Sequence, residues 1–249
     1  MGLITERGSA ADGYASVTVP PAPGEAAGSG AAMLHRRSAL PSRRSVLYLR
    51  CQPDTFVPED LVSWYTERGF HFWVADLRPQ DGQRARAPRG RRARAERFAR
   101  LDAASRHLRE AEGMDMIVVT ADAAGAVTAA EWCDARRDAA SADALILSGP
   151  AFGRRLRRGL DIACPVLVLS PAGEGAGGRA PRGKQDAAIQ LGPHVTWLRL
   201  QSGLGGHAPG EPGSGEAPQA ADADRRQFFD EMGRWLGAYM YGDVRDQLL

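Results

Sequence analysis

Apolar residues along this chain follow two alternating patterns: short continuous runs, and longer stretches in which they recur every three or four positions. Continuous runs are typical of strands buried on both faces, and the longer spacing is typical of helices that bury one side. We predict strands at 45–49, 70–76, 114–120, 142–147, 164–169 and 194–200. We predict helices at 58–68, 95–112, 124–137 and 222–241. Strands that alternate with helices indicate an α/β fold, with a mostly parallel sheet covered on both sides.

The beginning of the chain has a different pattern. Residues 1–13 are small and polar, and we expect them to be disordered. Tyr14–Val19 alternates between apolar and polar positions, and Ala31–His35 is a second short apolar run, so this region predicts a hairpin or strand pair. Residues 203–221 form a Gly/Pro/Ala-rich loop. We therefore predict one domain over 14–249, a length that can bury a sizeable core.

Composition narrows the class of protein only slightly. The formal net charge is +2, which argues neither for nor against an anionic partner. The three cysteines are an odd number and lie in or beside apolar segments, which favours reduced thiols over a disulfide framework. No apolar run is long enough to cross a bilayer, and residues 1–30 lack the pattern of a secretory signal. We therefore expect a cytoplasmic protein.

Arginine is concentrated between Arg78 and Arg109, with a second cluster at 154–158. Such runs are compatible with binding to phosphate or nucleic acid. Between Arg78 and Arg109 the only Phe, Tyr or Trp is Phe98, however, and acidic residues balance the total charge, so we interpret both clusters as solvated surface and expect no nucleic-acid partner. No metal-ligand spacing, Walker loop or dinucleotide glycine pattern occurs, and we expect no metal and no cofactor.

The segment Met116–Gly125 carries the most informative motif. An apolar strand runs into small residues that flank one carboxylate, Asp122, and an alanine-rich helix follows. A strand, a tight turn and a helix in this order form a nucleophile elbow, which presents an attacking side chain at the tip of the turn. The usual letters are G-x-S-x-G, whereas this chain has Thr120-Ala-Asp-Ala-Ala124.

The order of segments along the chain resembles the serine aminopeptidase-like branch of the α/β hydrolases, which includes lysophospholipases and monoacylglycerol lipases, and particularly an actinobacterial group. The matching segments are Arg43–Arg50, Tyr65–Arg78, Phe98–Ala104, Asp143–Pro150, Cys164–Leu169 and Gly192–Arg199. The resemblance implies an α/β-hydrolase fold. It also implies that Asp122 occupies the nucleophile position and that Cys51 and Ala123 occupy the oxyanion positions.

The chain departs from this family at its chemical positions. The family's oxyanion His-Gly is replaced by Arg50-Cys51. His207 is the candidate for the catalytic base. The third catalytic acid falls at Ala172, which leaves Glu174 as the nearest carboxylate. The lid is reduced to Gly149–Ala163.

Three hypotheses follow from these departures. The first is an inactive or impaired hydrolase-like protein that binds a small apolar or ester-like molecule, or a partner; Asp122 then only caps the following helix. The second is a working hydrolase for an ester, epoxide or carbon–halogen bond, with Asp122 as nucleophile and His207 as base. The third is a module that binds anions or nucleic acid through its arginines.

Overall fold

A computed structural model of the chain describes residues 5–7, 13–21, 30–51, 57–78, 90–139, 141–149, 159–171, 191, 194–200 and 218–246. These residues contain nine strands in one sheet. The strands are β1 Thr5–Arg7, β2 Ala15–Val19, β3 Ala31–Arg36, β4 Arg44–Arg50, β5 Phe70–Asp76, β6 Met116–Asp122, β7 Ala144–Ser148, β8 Val166–Pro171 and β9 Val195–Leu200. Their order across the sheet is β1-β2-β3-β5-β4-β6-β7-β8-β9.

Four α-helices occur in the same part of the chain: α1 Glu59–Glu67, α2 Arg91–Arg106, α3 Ala123–Ala135 and α4 Pro218–Asp246. A π-helical segment, His107–Ala111, continues α2, and a short 3₁₀ turn, Arg137–Ala139, follows α3. Among the described residues, no helix is both long enough and apolar enough to cross a membrane.

Strand direction divides the sheet into two parts. The strands from β1 to β3 pair antiparallel, and β3 also pairs antiparallel with β5. All pairs from β5 through β4 and β6 to β9 are parallel. The predicted mostly parallel sheet and leading strand pair are therefore both present. Thr5–Arg7, within the residues predicted to be disordered, pair with β2 along its edge.

Each face of the sheet has its own core, because successive residues of a strand point to opposite faces. In β4, Leu47 and Leu49 belong to the core beneath α2 and α3, which also buries Trp132. Val46 and Tyr48 belong to the core beneath α1 and α4. Helices on both faces explain why the central strands are apolar at nearly every position.

One carboxylate, Asp102 of α2, joins the two helices on the first of these faces. The buried Trp132 of α3 donates its indole N–H to Asp102 Oδ1 at 2.9 Å. Arg136, just beyond α3, donates to both carboxylate oxygens, with Nη2 at 2.8 Å from Oδ2. This interaction fixes the position of α3 against α2, and α3 begins at the predicted elbow.

We expect Asp102→Ala to lower the free energy of unfolding by about 2–3 kcal/mol, because it leaves a buried indole N–H and a guanidinium without their acceptor. The matched control is Asp115→Ala, which removes an exposed ion pair with Arg43 at 3.1 Å and costs less than about 1 kcal/mol. Urea denaturation of both variants measures the difference. Equal losses would mean that Asp102 does not clamp the helices.

Candidate active site at the carboxyl ends of the central strands

Polar side chains collect where the three central parallel strands end. Arg50 at the end of β4 is in register with Asp76 at the end of β5, and Leu49 is in register with Ala121 in β6. Asp122, the last residue of β6, is therefore close to the end of β4. Ligands of open α/β sheets bind at the carboxyl ends of the strands, so the carboxyl ends of β4, β5 and β6 are the candidate site.

The connection between β6 and α3 is strained at one residue. Ala123 has a φ of 41°, and it is the only residue other than glycine with a positive φ in the part of the chain that is described. Asp122 is extended, with φ −117° and ψ 158°. A nucleophile elbow places its attacking residue at the strained position. The positive φ of this connection therefore falls on Ala123, one residue after the predicted nucleophile position at Asp122.

The packing of Gly125 agrees with this register. A Cβ atom at Gly125 would lie 3.1 Å from the backbone oxygen of Leu49, 3.5 Å from Ala121 Cβ and 3.6 Å from Cys51 Sγ. In G-x-S-x-G, the two glycines are the small residues that stand two positions before and two positions after the tip. With Ala123 at the tip, these two residues are Ala121 and Gly125, and the motif becomes A-D-A-A-G.

The Asp122 carboxylate interacts with the sheet rather than with the helix. It lies at the N-cap position of α3 but makes no capping hydrogen bond. Its Oδ2 accepts a hydrogen bond from the hydroxyl of Tyr48 at 3.0 Å. Burial raises the pKa of Asp122, and the Tyr48 hydrogen bond offsets part of this effect. Burial, followed by the nearby Asp122, raises the pKa of Tyr48, so the phenol remains a proton donor.

Cys51 lies at the predicted oxyanion position, directly after β4. Burial raises the pKa of its thiol to about 11, despite the opposing effects of Arg97 and Thr128. A thiol with this pKa is almost entirely protonated at neutral pH, and only the thiolate is a good nucleophile. Cys51 is therefore a packing residue beside the turn, and a Cβ atom at Gly125 would lie 3.6 Å from its Sγ.

Two further residues at this edge were not identified from the sequence. Asp76 is bound by Arg78, whose Nε lies 2.8 Å from Asp76 Oδ1. Burial opposes the ionised form of Asp76, but the hydrogen bonds from Arg78 outweigh it and lower the pKa. The Asp-x-Arg spacing at a strand end is a usable signal for this pair. Tyr48, the second residue, gives no such signal within an apolar strand.

The remaining predicted site residues lie outside the described residues. This applies to His207, to Glu174 and to Ala172, the position of the third acid. Of the reduced lid, Gly149 and 159–163 are described. Within the described ranges, no group of three or more His, Cys, Asp or Glu side chains is placed to hold a metal ion.

No family model matches the chain, and no curated protein matches it in sequence. Solved structures do match. A dienelactone hydrolase from Anabaena variabilis is 16% identical, with a TM-score of 0.57 over 91% of this chain and 96% of that one. Esterase 2 from Thermogutta terrifontis is 15% identical, with a TM-score of 0.56 over 92% and 93%. A lid-less α/β serine hydrolase from Xanthomonas campestris is 14% identical, with a TM-score of 0.54 over 78% and 86%.

These similarities and the sheet order define the class of the molecule. The chain has the α/β-hydrolase fold, with the strands, crossovers and elbow connection of that architecture. Identity at this level shows the fold alone.

The burial of Asp122 makes stability depend on pH. Burial raises the pKa of Asp122 in the folded state above the unfolded-state value of about 3.9. Protonation of Asp122 therefore stabilises the folded protein fully below that value, and this stabilisation is lost as the pH rises through the folded-state pKa. We therefore expect Asp122→Asn to become progressively more stable than the parent protein between about pH 4 and pH 7. Denaturant unfolding at several pH values measures this trend.

Tyr48→Phe provides the control for the same carboxylate. Removing the hydroxyl deletes the interaction that lowers the pKa of Asp122, so the loss of stability shifts to higher pH. The double variant with Asp122→Asn should lose this pH trend. The assignment of a buried carboxyl group with a raised pKa would be contradicted if the stability difference between Asp122→Asn and the parent protein did not change with pH.

Proposed function

We propose that this protein is a non-hydrolytic member of the α/β-hydrolase fold that binds a small ester-like or apolar molecule at the carboxyl ends of β4 and β6. One observation carries the proposal: the strained tip of the elbow is Ala123, whose methyl group cannot attack a substrate. Covalent hydrolysis on this fold requires a nucleophile at that tip.

Asp122 does not replace the missing nucleophile. It precedes the tip in extended backbone, and its carboxylate is already bound to the Tyr48 hydroxyl at 3.0 Å. Its raised pKa makes the ionised, attacking form less available. Hydrolysis with Asp122 as nucleophile and His207 as base would need a carboxylate free to turn toward a carbon electrophile, which makes this hypothesis the weaker one.

Binding remains compatible with the turn. The backbone N–H of the residue after the tip is an oxyanion donor in this fold, and with Ala123 at the tip that residue is Ala124. A backbone donor does not depend on the side chains that have been replaced. A carbonyl or carboxylate oxygen at the start of α3 would also meet the favourable end of the helix dipole. We infer that the turn holds such an oxygen without activating it.

The prediction that the protein does not hydrolyse esters is tested with a fluorophosphonate probe and activated short-chain esters. We expect no labelling, and ester turnover no faster than that of Asp122→Ala, because neither protein has a nucleophile at the tip. Labelling of any serine would overturn the proposal. Turnover that disappears specifically in Asp122→Ala and His207→Ala would establish the aspartate mechanism instead.

A pair of cysteine variants tests the register of the elbow. Ala123→Cys places a thiol at the tip, at the first residue of α3, where a helix N-terminus favours the thiolate. Asp122→Cys places it one residue earlier, beside the Tyr48 hydroxyl. We expect iodoacetamide to alkylate Ala123→Cys about tenfold faster at neutral pH, as mapped by peptide mass spectrometry. Faster alkylation of Asp122→Cys would mean that residue 122, and not Ala123, is at the tip of the elbow.

A further inference from the structure

A pair of cysteines lies at the opposite end of α3 from the elbow. Cys133 is in the last turn of α3 and is buried, and Cys164 lies two residues before β8 and is half-buried. The two thiols lie close enough to influence each other's ionisation, and both line the same cavity. Both cysteines are reduced. Their contact joins two segments that are 31 residues apart in the chain.

The surrounding backbone holds the two segments together without the cysteines. Arg137, after α3, forms an ion pair with Asp161 at 2.6 Å. The backbone N–H of Asp161 donates to Asp134 Oδ1 at 2.7 Å. The Ile162 N–H binds the backbone oxygen of Leu191. These contacts bring the segment before β8 next to the end of α3, where Cys133 lies.

The same place contains a cavity of about 280 Å³, which both cysteines line together with Arg136, Arg137, Ser141 and Ile162. A single water molecule occupies roughly 30 Å³ in the liquid, so a molecule the size of a hydroperoxide fits this space. The cavity thus gives a small polar oxidant access to both thiols.

We propose that Cys133 and Cys164 are a redox modification site, where a hydroperoxide converts the thiol pair into a reversible disulfide. The Cys164 thiolate attacks one peroxide oxygen, the O–O bond breaks, and the products are a Cys164 sulfenic acid and water or an alcohol. The Cys133 sulfur then attacks the Cys164 sulfur, the S–S bond forms, and the S–O bond breaks to release water. The two thiols lose two electrons and two protons, and the peroxide is reduced by the same two electrons.

The roles of the two cysteines follow from their burial. Cys164 is half-buried and Cys133 is buried, so Cys164 meets an oxidant first and Cys133 acts second. The neighbouring Cys133 also lowers the pKa of the Cys164 thiol despite burial, whereas the pKa of Cys133 is raised. At Cys51 burial outweighs the effects of Arg97 and Thr128 and the pKa is about 11, so Cys51 should be oxidised more slowly.

The experiment treats the folded protein with a small excess of hydrogen peroxide and maps its cysteines by mass spectrometry. We expect a linked Cys133–Cys164 peptide, formed at least about tenfold faster than any oxidation of Cys51 and reversed by dithiothreitol. Cys51→Ser is the matched control and should leave the linkage unchanged. Cys133→Ala should give no linkage but a Cys164 sulfenic acid that dimedone traps, and Cys164→Ala should give neither product.

A second readout does not depend on the variants. Oxidised parent protein should melt at a higher temperature than reduced protein, because the crosslink restrains the unfolded chain, and dithiothreitol should restore the lower value. Preferential oxidation of Cys51, linkage between two molecules, or no linked peptide from folded parent protein would each overturn the proposal. Dimedone trapped on Cys133 in Cys164→Ala would overturn the assigned order of attack.

Discussion

The candidate site depends on how closely α3 approaches the central strand β4. At Gly125 the helix lies so near the backbone oxygen of Leu49 that even a methyl group would be 3.1 Å from it. This approach allows β6 to turn directly into α3 without a loop, and it forces one residue of the connection into the left-handed region. The strained Ala123, the extended Asp122 and the position of Cys51 beside the turn are consequences of the same contact.

The pattern of apolar residues predicts most of the sheet and helices because each strand and helix carries its own periodicity. The predicted helix at 58–68 and the strand at 70–76 nearly coincide with α1 and β5. Boundaries differ where tertiary hydrogen bonds decide them. Helix α2 begins at Arg91 rather than at 95, and strand β6 extends to Asp122 because it pairs with Ser148 in β7.

The register of the elbow could not be obtained from the same pattern. The residues from Ala121 to Gly125 are all small except Asp122, so the sequence allows more than one alignment with G-x-S-x-G. Asp122 is assigned to the nucleophile position because its carboxylate is the only reactive group among these residues. The positive φ at Ala123 depends on packing between residues that are more than 70 positions apart, such as Leu49 and Gly125. The Tyr48–Asp122 hydrogen bond could not be predicted from the sequence either, because the two residues are 74 positions apart.

Local pairing also explains the arginine excess within the described residues. Arg94 forms an ion pair with Glu131, Arg109 with Asp143, and Arg92 with Glu96 one helical turn away. These three guanidinium groups are therefore paired with carboxylates of the fold.

Helix α3 has the elbow at its first residue and a cysteine contact in its last turn. Thirteen residues of α-helix span about 20 Å, and over so short a length a helix resists bending. One end of the helix packs on the backbone of β4, and the other end packs on the segment before β8. A shift of the helix along its axis would therefore displace the turn and the thiol pair together.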